Sequence, residues 1–393
     1  MKKTIKDFDL NNKRVIIRCD LNVPIKEGII TDDTRIKASL KTIKYAIENN
    51  AKVILLSHLG KVKTEEDLKK NNLYQVSVRL SKFLEKEVFF VNTTKGIELE
   101  DKVNSLNSGE VLLIQNTRYE DLDGKKESGC NEELARYWAS LGDIFINDAY
   151  GTSHRAHASN VGIARYLPSG LGFLVEEEVS KLDSILNETT SPFVVIMGGA
   201  KVSDKIKVIE NLILKCDKLL IGGGMAYTFL TAMGYNVGSS LVDTDSIDFC
   251  KEVMSKYSNK IVLPVDNVVS TSLDSTECMV KDIKENTSKE MGLDIGPKTI
   301  KLFTDVLKDA KRVVINGPMG CFEYDNYKEG TKAIYNFITE HNIKTLIGGG
   351  DSASSVNKLS NPSLFYHIST GGGATLEYLE GKVLPGIDVI NER

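Results

Sequence analysis

Phe193-Val194-Val195-Ile196-Met197-Gly198-Gly199-Ala200-Lys201, continued by Val202-Ser203-Asp204-Lys205-Ile206, contains one complete structural unit. FVVIM is apolar at both alternating positions, as in a strand of a parallel sheet covered on both faces. Two glycines end the run, and Ile206, Ile209, Ile213 and Cys216 then recur at helical spacing. The passage is a strand, a turn and a helix, the building block of an α/β protein.

The same unit recurs outward in both directions. Apolar runs at 15–18 (VIIR), 53–57 (VILLS), 88–91 (VFFV), 111–115 (VLLIQ) and 144–148 (IFIND) alternate with helical patterns such as Ile36, Leu40, Ile43 and Ile47. A second series continues at 219–224 (LLIGGG), 261–265 (IVLPV), 313–317 (VVING), 345–350 (TLIGGG) and 365–370 (FYHIST). Repetition of this kind predicts parallel sheets, and 393 residues exceed what one hydrophobic core usually supports. Two sheets in two domains are expected. At 176–192, EEEVSKLDSILNETTSP carries Val179, Leu182 and Leu186 as one apolar stripe before a polar turn and Pro192, the pattern of a helix between domains. The final stretch, ATLEYLEGKVLPGIDVINER, is too short to be a domain and must dock elsewhere.

With 50 basic and 54 acidic residues the formal charge is -4. Nothing pulls the whole chain toward nucleic acid or an anionic membrane, so any electrostatic function is local. The lysines of MKKTIKDFDLNNK precede no apolar signal core, and no run approaches the roughly 18 apolar residues of a membrane span. A cytoplasmic location is expected. Cys19, Cys130, Cys216, Cys250, Cys278 and Cys321 form no CxxC pair and have no histidine at metal-ligand spacing. They read as reduced thiols, mostly buried, and zinc is not expected.

Three strands of the second series end in glycine triplets that lead into helical patterns: Gly222 to Gly224, Gly348 to Gly350 and Gly371 to Gly373. Glycine lets backbone N–H groups approach a ligand, and a helix N-terminus adds unpaired donors and a positive dipole end. One such turn is as readily a tight connection with no ligand. Three at the carboxyl edge of one sheet point to nucleotide phosphates. GGGDSA at 348–353 also matches the dinucleotide fingerprint, but that reading needs an acidic residue at the end of the next strand, where His367, Ser369 and Thr370 stand. Asp351 is either a carboxylate favoured by the helix dipole or a Mg²⁺ ligand, and a neighbouring phosphate site favours the metal. In NGPMGCFEY, Asn316 and Glu323 taken singly are a turn residue and a surface charge.

The first series carries different chemistry at its strand ends. Arg18-Cys19-Asp20-Leu21-Asn22 follows the first strand, Ser57-His58-Leu59-Gly60-Lys61 the second and Asn116-Thr117-Arg118 the fourth. His154, Arg155 and His157 follow the fifth, and Arg35 stands near a helix start. Any one of these arginines is ordinarily a solvated charge. Gathered in loops at one sheet edge they suit an anionic substrate, because guanidinium forks match phosphate and carboxylate. No Ser/His/Asp nucleophile is evident. A half for nucleotide phosphates and a half for a small anion together suggest a kinase.

In this order, RCDLNVP, DDTRIKAS, SHLG, NTRYE, DAYGTSHRAH, GGAKVSDK, MGLDIGP, NGPMGCFEY, GGGDSAS and STGGGAT resemble the phosphoglycerate kinase family, from near residue 13 to about residue 386. The resemblance implies two Rossmann-like lobes, each a parallel sheet covered by helices on both faces. Residues 1–172 would form a triose-phosphate-binding lobe, 173–190 a connecting helix and hinge, and 191–374 a nucleotide-binding lobe, with 375–393 packing back on the first. The implied reaction is reversible phosphoryl transfer from 1,3-bisphosphoglycerate to ADP, giving 3-phosphoglycerate and ATP in glycolysis, direct and in line between closed lobes. Mg²⁺ accompanies the nucleotide. The family is typically monomeric, and no nucleic acid, membrane or obligate protein partner is expected.

By motif position the resemblance assigns the triose to Asp20, Leu21, Asn22, Arg35, His58, Leu59, Gly60, Lys61, Arg118 and Arg155. It assigns the nucleotide to Gly199, Lys201, Lys205, Gly222, Gly223, Gly292, Leu293, Asn316, Pro318, Glu323, Gly349, Gly350, Asp351 and Ser352, with Glu323 on the ribose and Asp351 on the metal. Arg35, Lys201, Gly350 and Gly373 would act on the group in flight, with N–H groups of Gly350 to Ser352 and of Gly371 to Gly373 on the phosphoryl oxygens. Lys201 and Lys205 are expected on one helical face, dividing the labour between that group and the nucleotide. The chain departs from the family pattern at Lys61, where Arg usually follows SHLG, and at Gln115, Tyr119 and Ser352, which replace Glu, Phe and Thr. At Lys61 a point charge replaces a fork, which predicts weaker anchoring of the anion.

Overall fold

The computed structural model describes every residue from Met1 to Arg393. The chain forms β1 (Arg14–Cys19), a hairpin of β2 (Ile25–Lys26) and β3 (Ile29–Ile30), then β4 (Lys52–Leu56), β5 (Val88–Val91), β6 (Val111–Ile114), β7 (Ile144–Asp148) and β8 (Ser169–Leu171). Apart from the hairpin these make one parallel sheet in the order β5-β6-β4-β1-β7-β8. In its centre Ile16 lies between Ile54 and Phe145, all three without exposed surface. Each side chain buried in this way contributes about 1.5–3 kcal/mol. Because every strand is parallel, all the carboxyl ends share one edge, and the segments beginning at Asp20, Ser57, Gln115 and Ala149 emerge there.

Further strands follow: β9 (Phe193–Met197), β10 (Lys218–Ile221), β11 (Ile261–Val262), β12 (Asp266–Ser270), β13 (Met279–Asp282), β14 (Met291–Ile295), β15 (Arg312–Asn316), β16 (Lys344–Ile347) and β17 (His367–Ile368). The second parallel sheet has the order β11-β10-β9-β15-β16-β17. The expected α/β class, with two parallel sheets flanked by helices, is observed. One addition is a three-stranded antiparallel sheet, β13-β12-β14, which the search for apolar runs does not find because half of Met279–Asp282 faces solvent. All six cysteines are free; Cys19, Cys216 and Cys250 are buried, Cys130 and Cys321 half-buried, and Cys278 exposed. No helix is long and apolar enough to cross a membrane.

The chain divides into two compact units, Met1–Val179 with Val383–Arg393, and Ser180–Lys382. The division falls inside the continuous helix Phe173–Leu186. The segment rejoining the first unit begins at Val383 and not at 375. The helix Gly373–Leu379 stays with the second unit, where Asn211 Nδ2 donates to Leu379 O at 2.7 Å. Beyond it the tail is fastened to the first unit: Asn147 Nδ2 donates to Gly386 O at 2.7 Å, Ser169 N–H to Asn391 Oδ1 at 2.8 Å, and Arg393 Nε to Asp7 Oδ2 at 2.8 Å.

Candidate active site

In the second unit, β9 and β15 are neighbours whose ends are joined by one lysine. After Met197 the chain turns through Gly199 at φ +95°, a left-handed angle that suits glycine. Lys205 reaches back under this turn, and its Nζ donates to Gly198 O at 2.6 Å and to Asn316 O at 2.8 Å. Burial draws its pKa down to about 8, against the opposite pull of Asp351 and Asp204. Two of its three N–H groups are engaged, and one remains for a ligand. The two lysines do not share a helical face. The helix begins only at Ile206, with Lys205 as its N-cap residue, and Lys201 stands exposed in the turn before it. Their different roles follow from different burial and not from helical spacing.

The glycine triplets also differ from one another. The N–H groups of Gly222 and Gly223 are taken by Met197 O and Met319 O, so this triplet presents no row of donors. Its function is close approach: a Cβ on Gly223 would lie 2.5 Å from Gly199 N and 2.8 Å from Pro318 O. In the second triplet Gly348 N–H bonds Ile315 O, while Gly350, Asp351 and Ser352 open the helix Gly350–Leu359 with their N–H groups lacking intrahelical acceptors. In the third, Gly371 N–H is taken by Ser369 Oγ at 3.3 Å, which leaves Gly372 and Gly373 and removes Gly371 from the expected donors.

A cavity of about 500 Å³ opens beside these turns. Of the residues assigned to the nucleotide, Gly199, Gly223, Gly292, Leu293, Pro318, Glu323 and Asp351 line it. Lys201, Lys205, Gly222, Asn316, Gly349, Gly350 and Ser352 do not. Asn316 supports the turns from behind, its Nδ2 donating to Gly348 O at 3.0 Å, and Gly317 N–H donates to Ser352 Oγ at 2.6 Å. The opposite wall is apolar and was not anticipated: Leu241, Pro264, Leu273, Met291 and Met319, with Tyr227 beside them. Met291 and Met319 lie in MGLDIGP and NGPMGCFEY and Pro264 in the IVLPV run, whereas Leu241 and Leu273 belong to no motif, and only the fold brings these segments together. An apolar slot ending in glycine turns and carboxylates suits a planar ring system with a polyanionic tail.

The edge of the first sheet holds the other constellation. Asp20 accepts from Arg35 Nη1 at 3.1 Å, and Asn22 Oδ1 from Gly60 N–H at 2.8 Å. Leu21 N–H donates to Ser57 Oγ at 2.9 Å, and Asn116 bonds both the N–H and the carbonyl of Leu59. The loops therefore brace one another. Arg118 is half-buried with a 3.4 Å ion pair to Asp121, and its buried Nε has no partner. An unmet buried donor costs about 1–3 kcal/mol, which an arriving anion can recover. Arg155 and Lys61 are exposed, Arg155 Nε lying 3.2 Å from His154 Nε2. A groove of about 1100 Å³ alongside shares Asn22, Leu59 and Gly60 with this face but none of Arg35, His58, Arg118 or Arg155.

Arg18 is not in a loop; it is the fifth residue of β1 and has no exposed surface. His58 and His157 are not cations. Burial, then Arg18 and Arg118, hold His58 well below its ordinary value and bring His157 to about 3. The positive charge of this face comes from arginine and lysine, with neutral imidazoles between them.

The family model described as phosphoglycerate kinase matches residues 5–382. Phosphoglycerate kinase of Enterococcus faecalis is 55% identical over 396 residues, and that of Fusobacterium nucleatum 53% identical over 398, with 100% of both chains covered in each case. The solved structure of phosphoglycerate kinase from Coxiella burnetii is similar with a TM-score of 0.92 at 38% identity, covering 99% of this chain and 98% of that one. The corresponding structure from Pyrococcus horikoshii has a TM-score of 0.83 at 32% identity, covering 98% of each chain.

Proposed function

The chain belongs to the phosphoglycerate kinase family and is a phosphotransferase of glycolysis, moving a phosphoryl group reversibly between 1,3-bisphosphoglycerate and ADP; from that premise we propose how its residues divide the work. The cavity of about 500 Å³ takes the nucleotide, its base against the apolar wall and its ribose toward Glu323. That cavity is the observation that carries the reading, because it joins an apolar slot to a glycine turn and a carboxylate. Lys205 and the N–H groups of Gly350, Asp351 and Ser352 meet the phosphates. The triose lies on the braced loops of the first unit, its anionic groups on Arg35, His58, Lys61, Arg118 and Arg155.

Asp351 lines the cavity at the first turn of its helix, and no group of three or more His, Cys, Asp or Glu residues could hold a metal unaided. A single carboxylate fits Mg²⁺, which takes its other ligands from phosphate oxygens and water. Bound there, the ion would neutralise charge on the nucleotide phosphates. Phosphoryl transfer spreads charge over three equatorial oxygens of a loose, in-line transition state, so the protein's part is positioning and electrostatics. Lys201 acts on that group as it is held on the nucleotide, and Arg35 as it is held on the triose. The leaving group is a carboxylate, so no strong general base is required. The reaction is placed in the cytoplasm.

Calorimetric titration of two variants with both substrates tests these assignments. A Cβ at Gly292 would lie 1.8 Å from Tyr227 Oη. Gly292→Ala is therefore expected to push the ring into the slot and weaken ADP binding about tenfold or more, with 3-phosphoglycerate binding unchanged. Lys61→Arg is expected to tighten 3-phosphoglycerate binding several-fold and leave ADP alone. Unchanged ADP affinity in the first variant would place the base elsewhere, and unchanged triose affinity in the second would remove residue 61 from the anion site.

A further inference from the structure

Beneath the anion-facing loops runs a buried polar chain that the roles assigned above do not use. Glu127 and Arg18 have no exposed side-chain surface, and Arg18 Nη2 lies 4.0 Å from Glu127 Oε1. Ser159 links them. Its Oγ donates to Glu127 Oε1 at 2.5 Å and accepts from Arg18 Nε at 2.8 Å, while its N–H donates to Glu127 Oε2 at 2.9 Å. Arg18 then donates through Nη1 to Cys19 O at 2.5 Å and lies with Nη2 3.3 Å from His58 Nδ1.

A guanidinium has only donors. His58 Nδ1 must therefore be the acceptor, and the ring proton sits on Nε2, for which the protein supplies no acceptor. A second proton is opposed by burial and by the strongest charges acting on the ring. These are Arg18 of β1, Arg118 after β6 and Arg35 of the helix Thr34–Glu48, with the uncharged His157 ring beside them. A guanidinium buried without a counter-charge is strongly unfavourable, and Glu127 supplies that charge. Ser159 fixes the rotation of the guanidinium plane, since it holds Nε while Nη2 points at the imidazole.

We propose that Ser159, anchored by Glu127, is a positioning residue: through Arg18 it holds His58 as a neutral imidazole whose Nε2–H is a permanent donor to an anionic oxygen of the triose. The proposal rests on the reading of His58 as a triose ligand. Its physical advantage is that the opposite tautomer would offer a lone pair to an anion, which repels. The donor also keeps its identity across the range in which an ordinary histidine titrates.

Proton-nitrogen correlation spectra of the histidine rings in the full-length, substrate-free protein test the tautomer directly, with His58 assigned through His58→Gln. The expected result is an Nε2–H imidazole that does not titrate from about pH 5 to about pH 8. An Nδ1–H ring, or a midpoint inside that range, overturns the tautomer assignment. Ser159→Ala cuts the link while leaving both buried charges. It should move the His58 signals toward a tautomer mixture and raise KM for 3-phosphoglycerate about tenfold, with kcat and KM for ATP nearly unchanged. Shifted spectra with an unmoved KM overturn the positioning role and, with it, the place of His58 in the triose site.

Discussion

Lys201→Ala is expected to lower kcat by about two to three orders of magnitude while 3-phosphoglycerate affinity stays at the wild-type value, and Arg35→Ala to do the same with ADP affinity preserved. The size of the effect follows from the transition state: each lost cation leaves developing charge on an equatorial oxygen without its preorganised partner. Both residues are free to take that role. Lys201 is exposed in a turn whose Ser203 N–H is held by Asp243 Oδ2 at 2.8 Å, so the backbone beneath it is fixed. Arg35 is paired with Asp20 at 3.1 Å, with 47% of the arginine side chain exposed against 13% of the aspartate, so water reaches the guanidinium side of the pair. Arg35 can therefore turn from Asp20 to a substrate oxygen. Steady-state rates with both substrates saturating measure the effect, and unchanged kcat in both variants would remove these residues from the chemistry.

Lys205→Met is expected to affect stability and nucleotide binding with opposite pH dependence. Asn316 O keeps the Gly198 N–H, but Gly198 O is left without a donor at about 1–3 kcal/mol, while below about pH 8 the removal of a buried ammonium acts in the opposite direction. ADP affinity is expected to fall about 10- to 100-fold, the worth of one charge-assisted hydrogen bond. The pH dependence distinguishes the two effects. The folded pKa, about 8, lies below the ordinary lysine value of 10.5. Between those values the unfolded chain binds the extra proton, so the contribution of this residue to stability rises with pH. The cost of burying the charged ammonium is fully present below about pH 8. Nucleotide binding runs the other way, since phosphate needs the ammonium. ADP affinity in the wild-type protein should weaken as pH rises through about 8, and Lys205→Met should remove that component. Calorimetry at several pH values compares the slopes; identical slopes would show that Lys205 does not meet the phosphates.

The parts of the fold that can be read from the chain are those in which burial is complete. Phe193–Met197 and the Ile144–Ile146 part of Ile144–Asp148 are covered on both faces, so their residues are apolar without alternation and stand out as runs. Met279–Asp282 is half in solvent and Ser169–Leu171 spans one short step, so neither carries enough apolar surface to be recognised. The cationic loops could be gathered in advance because parallel strands send all their carboxyl ends to one edge. Which arginine faces solvent could not, because that depends on a counter-charge remote in sequence: Arg18 is buried only because Glu127 and Ser159 meet it there. The spacing of Lys201 and Lys205 suggested a helix, but glycine and the hydrogen bonds of Lys205 keep the segment in a turn until Ile206. The apolar wall of the cavity was invisible for the same reason as Glu127, being assembled from segments that only the fold brings together.

The central claim is that the phosphoryl group passes directly between triose and nucleotide without residing on the protein. It is tested by giving the purified chain ATP radiolabelled at the γ-phosphate, with Mg²⁺, and following the label with and without 3-phosphoglycerate. The account predicts label in 1,3-bisphosphoglycerate that requires both substrates, with none on the protein and none exchanged between ATP and added ADP when the triose is withheld. Labelled protein, or exchange without the triose, would contradict it.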